Sequence, residues 1–332
     1  MSESSLGHSG NQGAAVSLIR IASWSMLAAI MVFLINNFLS LGLDWPGAAA
    51  VFMGGDTDPR SWLQFSFFIV GIIGSAILVS RTPQRGLRRD SKLISDFNAF
   101  LIRAAFWAVL YIGVADMVIS FLRVEDLLSF FVGDHLTTQL GRALFRGPNI
   151  HMPLLFAAVV TALFTRTLGF TWLALLIVMA ELTIVITRFV FSYEQAFMGD
   201  LVRFWYAALF LFASAFTLLE DGHVRVDVLY AGFKSETKGF VNAIGSILLG
   251  LSVSWTIMVI GMSGKSAIIN GPIMKFEVSQ SGFGMYVKYL MAGFLGVFAV
   301  SMAIQFVSFF LEATADKRGE SGKREHDATI TA

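Results

Sequence analysis

Eight apolar runs dominate this chain, at 18–43, 62–80, 101–122, 150–165, 169–187, 204–219, 240–263 and 289–311. A helix needs about 20 mostly apolar residues to cross the ~30 Å hydrocarbon layer of a bilayer, and within that layer its backbone amides must bond internally. Runs of this length therefore fold as membrane-spanning helices. The fourth and sixth are at the short limit. The stretch from Ile150 to Val190 fits one long tilted helix or two, and Arg166, between Thr165 and Thr167 and ahead of Gly169, favours a break. Composition agrees, since 56% of residues are hydrophobic and only 14% charged, against about 25% charged in soluble proteins. A soluble enzyme, a nucleic-acid binder and a disordered chain are excluded. The predicted fold class is an all-α integral membrane protein with about eight transmembrane helices.

Orientation follows from lysine and arginine, which favour the cytoplasmic ends of spans. With the N-terminus inside, the cytoplasmic segments carry fourteen Lys and Arg and the outer segments nine, Arg103 being assigned to neither. The loop RTPQRGLRRDSK at 81–92 decides the sign. Both termini are expected to be cytoplasmic. The first residues lack a basic leader region, and the apolar run after Arg20 is too long for a signal peptide, so the first helix reads as retained. The chain divides into a cytoplasmic tail at 1–16, an N-terminal transmembrane extension of about four helices at 17–167, a four-helix unit at 168–315 and a polar, disordered tail at 316–332.

Most catalytic chemistry has no residues to rest on. The absence of cysteine removes disulfides, thiolate catalysis and Cys-based metal sites. A net charge of +1 implies no bulk attraction to nucleic acid. The SGKS at 263–266 lacks a glycine that a phosphate loop needs, Val259 standing in its place. Of His8, His135, His151, His223 and His326, none falls in the middle of an apolar run, so no haem is expected. No catalytic residue, metal site or cofactor is expected, and the chain does not read as an enzyme.

Ionisable residues at membrane depth are costly, so each points to function or to specific pairing. Two acids lie inside the runs, Asp116 and Glu181, each followed seven residues later by an arginine, Arg123 and Arg188. Seven residues are two helical turns, about 10 Å, so acid and base share a helix face. One reading is an ion or proton relay; the other is an interhelical bond that fixes the bundle. Two acids are few for a carrier, which favours the bond. The spacing belongs to a wider echo, in which Trp107, Leu110, Ile112 and Ala115 match Trp172, Leu175, Ile177 and Ala180, as a duplicated helical hairpin would leave. In the seventh run Ser246, Gly250 and Ser254 follow Asn242 at intervals of four. That stripe lets another helix approach closely, from within the chain or from a partner. The segment 122–147 has helical periodicity and reads either as a helix along the outer interface, with Phe130 and Phe131 toward lipid, or as a solvated loop.

From Arg188 the chain reads RFVFSYEQAFMGDLVRFWYAALFLFASAFTLLEDGHVRVDVLYAGF. This resembles the small membrane subunit, Q-type or DctQ-like, of tripartite ATP-independent periplasmic (TRAP) transporters. The resemblance rests on Arg188, Phe189 and Phe191 at the outer end of one helix, on Asp200 and Arg203 ahead of the next, and on the turn Gly222, His223, Val224, Arg225, Val226 and Asp227 after it. It spans roughly 168–312. Asp200 stands where Glu is more usual, Trp205 is displaced from the family's tryptophan, and residues 1–167 have no counterpart in short members.

The resemblance implies a non-catalytic subunit of a bacterial inner membrane. Such a subunit braces a large permease subunit, which holds the substrate and sodium sites, and shares in docking a periplasmic binding protein that delivers an organic acid. In that reading Arg188, Asp200, Arg203, Gly222, His223, Arg225, Asp227 and the stripe Ser246, Gly250 and Ser254 are partner-facing or structural. The alternative from the residues alone is a self-sufficient ion-coupled carrier or channel using Asp116 and Glu181.

Overall fold

The structure is a computed structural model that describes residues 3–52, 58–167, 169–193, 196–220, 228–278 and 284–322. Among these, every regular element is helical: α1 (Glu3–Gly42), α2 (Pro59–Ser80), α3 (Leu87–Val124), α4 (Leu128–Leu140), α5 (Ala143–Arg146), α6 (Met152–Phe164) and α7 (Phe170–Phe191). They are followed by α8 (Ala196–Leu219), α9 (Val228–Ala231), α10 (Ser235–Gly245), α11 (Ser252–Gly261), α12 (Asn270–Lys275) and α13 (Lys288–Lys317). A 3₁₀ turn at Ala48–Phe52 precedes α2, and π-helical turns at Gly147–His151 and Ser246–Leu251 join α5 to α6 and α10 to α11.

Eight helical stretches among the described residues are long and apolar enough to cross a membrane: Gly13–Gly42, Pro59–Ser80, Leu87–Val124, Ala143–Phe164, Phe170–Phe191, Phe197–Leu219, Ser235–Gly261 and Lys288–Lys317. The chain is a multi-pass integral membrane protein. Its helix ends differ from the apolar runs. α1 extends back to Glu3, into the segment set apart as a tail, and α3 starts at Leu87, far ahead of its apolar run. Beyond the hydrocarbon a helix can continue in water, so hydropathy marks the lipid-crossing part alone.

The stretch from 150 to 190 is two helices. Thr165 is extended (ψ 153°) and Gly169 is left-handed (φ 85°), a conformation that glycine adopts without steric cost. The short fourth run is completed at its N-terminal side by α5 and the π-turn. Gly271–Pro272 lies in the first turn of α12, where a proline's missing amide is no loss.

The chain packs as two compact units, each assembled from separate segments: Met1–Asp96 with Leu219–Trp255 and Met302–Ala332, and Phe97–Leu218 with Thr256–Ser301. In the first unit α1 packs on α2, where Gly71 brings Ala28 within 3.1 Å of where a Cβ would stand. Arg20, 1% exposed, crosses from α1 to α3: its Nε donates to Asp90 at 2.7 Å and its Nη1 to the Thr82 carbonyl at 2.9 Å. The Trp24 indole donates to the same Asp90 oxygen at 3.0 Å. Between α3 and α13 the Ser308 hydroxyl lies 2.9 Å from that of Ser91 and 2.7 Å from that of Ser95.

In the second unit the segment of α3 from Phe97 onward meets α6 through Tyr111 and Thr161 (3.0 Å) and through Trp107 and Thr165 (3.0 Å). The Trp205 indole of α8 brings its Nε1 edge against Gly113, where any Cβ would collide with it, and donates to the Val109 carbonyl at 3.3 Å. Phe170, Phe106, Phe212, Phe294 and Phe204 form a chain of ring contacts with centroids 4.9–5.5 Å apart. Offset and edge contacts at such distances each add about 0.5–1.5 kcal/mol beyond the area they bury.

Candidate functional site

Asp116 of α3 is wholly enclosed, and its carboxylate is gripped from three directions in the second unit. Oδ1 accepts from Arg146 Nη1 at 2.6 Å and from His151 Nε2 at 3.2 Å. Oδ2 accepts from the backbone amide of Tyr286 at 2.7 Å. His151 Nδ1 lies 2.8 Å from the Tyr289 hydroxyl. The network thus assigns the ring proton to Nε2, leaving Nδ1 to accept from Tyr289.

The π-turn explains how Arg146 and His151 reach one oxygen. In an α-helix, residues five apart point about 140° away from each other. A π-turn bonds i to i+5 and brings that pair onto one side. Gly147 opens the turn beneath the Phe276 ring, at a spacing that only glycine permits.

Arg146 is fully buried, donates from Nε to the Leu140 carbonyl at 2.8 Å and lies 4.2 Å from the Tyr286 ring centroid. Its Nη2 finds no oxygen partner, and the ring face offsets part of that loss. Arg123, expected beside Asp116, instead donates to the Tyr286 hydroxyl at 2.6 Å. That hydroxyl in turn donates to the Gly141 carbonyl at 2.8 Å. Sharing a helix face with Asp116 does not bring Arg123 to it, because two turns separate them and Arg146 is nearer.

Two further expectations need correction. Asp116 and Glu181 are not the only ionisable groups inside membrane-crossing stretches: Arg20, Asp90, Arg146 and His151 are each buried there as well. His151 is also well inside its span once α5 and the π-turn are counted. Among the described residues, no three His, Asp or Glu side chains converge as a metal ion would need.

Glu181 has the opposite setting. α7 turns Leu173, Ile177 and Ala180 inward, a single stripe, and leaves Glu181 exposed near the middle of its 22 residues, together with Leu182, Val185 and Arg188. Asp200 of α8 is half-buried, accepts from the Met285 amide at 3.1 Å and lies 3.5 Å from the exposed Arg203. Gly222, His223, Arg225 and Asp227 lie outside the described residues. Ser246, Gly250 and Ser254 are buried within the chain, and the Phe306 ring of α13 covers Gly250 where a side chain would otherwise stand. The α4 helix leaves Phe130 85% and Phe131 64% exposed.

Buried charges closed on one another, and a helix with an exposed acid at membrane depth, belong to a polytopic helical membrane protein. Residues 174–316 match the family model of tripartite ATP-independent periplasmic transporters, DctQ component. The chain resembles the small membrane subunit of TRAP transporters over this stretch, which is less than half its length and runs from α7 to the end of α13. The extra helices of the N-terminal portion lie outside the match. No curated protein and no solved structure matches the chain.

Proposed function

We propose that this protein is the small, Q-type membrane subunit of a TRAP transporter in a bacterial inner membrane. It braces the large permease subunit for sodium-driven uptake of an organic acid delivered by a periplasmic binding protein. Both termini lie in the cytoplasm, and the large subunit contacts the second half of the chain, including Arg188, Arg225 and Asp227.

The observation that carries this reading is Glu181, exposed at mid-helix in the family-matched stretch. An acid facing lipid at that depth costs about 2.5–3.5 kcal/mol or more, so a neighbouring protein surface with a donor is the fitting environment. Two features weigh against a carrier acting alone. Asp116 has its acceptors filled by Arg146, His151 and Tyr286. The second unit's cavity of ≈ 140 Å³ is lined by apolar residues such as Ala108, Ile112, Phe204 and Phe294, which give an ion no ligands.

The test is reconstitution in liposomes under a sodium gradient. The isolated chain takes up no organic acid, and uptake appears with the large subunit and the binding protein. Glu181→Leu lowers co-purification with the large subunit several-fold, while Glu181→Gln, which keeps the shape and some hydrogen bonds, retains most of it. Uptake by the isolated chain would overturn the proposal in favour of a self-sufficient carrier.

A further inference from the structure

In the first unit, a cavity of ≈ 470 Å³ lies where the start of α3, the end of α13 and the α9–α10 segment converge. Arg88, Arg89, Lys92 and Lys238 line it, against the carboxylates of Glu312 and Asp316. Both carboxylates are taken by one cation: Arg88 donates from Nη1 to Glu312 and from Nη2 to Asp316, the latter at 2.8 Å. Lys92 is paired with Asp96 at 2.7 Å. Among the described residues Arg89 and Lys238 have no carboxylate partner, and Lys238 only stacks over the Tyr230 ring at 5.3 Å. With Asp96 counted, four cations face three carboxylates, so the cavity keeps a net positive charge, and Arg89 and Lys238 are the cations that no described carboxylate pairs.

Its floor is polar as well. The hydroxyls of Ser91, Ser95 and Ser308 and the amide of Gln305 are buried and linked to one another. The cavity also sits at a particular depth. Arg88 and Arg89 begin one membrane-crossing stretch, Leu87–Val124, and Asp316 ends another, Lys288–Lys317. Uncompensated cations between helix ends, over hydroxyl donors, are the chemistry that recognises phosphate at a membrane surface. A volume of this size suits a glycerophosphate group.

We propose that this cavity binds an anionic phosphate group, held chiefly by Arg89 and Lys238. The phosphate has two possible sources, a phospholipid headgroup or a soluble phosphate, and the same chemistry serves both.

The full chain, purified in detergent, is incubated with phosphatidylglycerol, with phosphatidylcholine of the same acyl chains, or with inorganic phosphate, and bound species are counted by native mass spectrometry. Phosphatidylglycerol is retained over phosphatidylcholine, and the double variant Arg89→Gln/Lys238→Gln loses about 30-fold in affinity. A control pair outside the cavity, Arg81→Gln/Arg85→Gln, leaves retention unchanged. Retention that inorganic phosphate does not displace assigns the lipid source; phosphate binding that displaces the lipid assigns the soluble one. Because Arg89 is exposed, Arg89→Glu alone keeps the fold and must weaken binding too, which guards against misfolding of the double variant. Equal retention of the two lipids, wild-type binding by the variants, or no binding of either anionic probe would overturn the proposal.

Discussion

Asp116 and Glu181 occupy the same position in a repeated pattern, each in a membrane-crossing helix with an arginine two turns later, yet their surroundings are opposite. Asp116 has three donors and no exposure. Glu181 stands on the uncovered side of α7. Taking an ion out of water costs several kcal/mol, and only close, well-bonded partners offset it. Around Asp116 the chain supplies those partners itself. Around Glu181 none of the described residues is placed to do the same, and the carboxylate stays exposed. A shared motif thus says little about role; the enclosing side chains decide it.

The sharpest way to break this contrast is Asp116→Leu, which strands Arg146 as a buried, unpaired cation. A loss of about 3–5 kcal/mol follows, read as a collapse in folded yield and melting temperature, and Arg146→Met in the same chain recovers much of it. If Asp116→Leu melts as the wild type does, the centre is not closed in the way described. Next comes Gly113→Leu, which pushes into the Trp205 indole and should cost about 1–3 kcal/mol through overpacking. Tyr111→Phe removes one interhelical hydroxyl pair in the same unit, and about 0.6 kcal/mol is expected by thermal melting in detergent. Smallest is Glu181→Leu measured on the isolated chain, where stability should move by no more than about 0.5 kcal/mol. A drop as large as that of Asp116→Leu would give Glu181 an internal partner and erase the distinction.

The eight spans were legible because bilayer thickness dictates the length of an apolar run, and the α6–α7 break because Gly169 permits a conformation that other residues resist. Helix ends were less so, since nothing in hydropathy stops a helix in water. Asp116 was visible as an acid among apolar residues, but its partners were hidden. Arg146 and His151 flank the edge of an apolar run and come together only through a π-turn, which one-dimensional periodicity does not register. Arg20 and Asp90 were obscured in the same way, one near the start of a run and the other inside a strongly basic loop. Their visible signal was an arginine two residues into an otherwise apolar stretch, with an acid among cations of the facing loop. The turn at 222–227, on which much of the family resemblance rests, lies outside the described residues.

The interleaved make-up of the two units has a consequence for synthesis. Asp90 finds Arg20 only 70 positions earlier, so that pair can close as soon as α3 leaves the ribosome. The contact of Ser91 with Ser308 spans 217 positions, and that of Arg88 with Glu312 spans 224. Arg88 must therefore wait at the aqueous end of its helix, and Ser91 and Ser95 must keep water or one another for company, while five more spans are inserted. The last helix to be made is thus the latch of the first unit, and a nascent chain stopped before residue 302 holds its earliest ion pair but cannot seal the wall behind it.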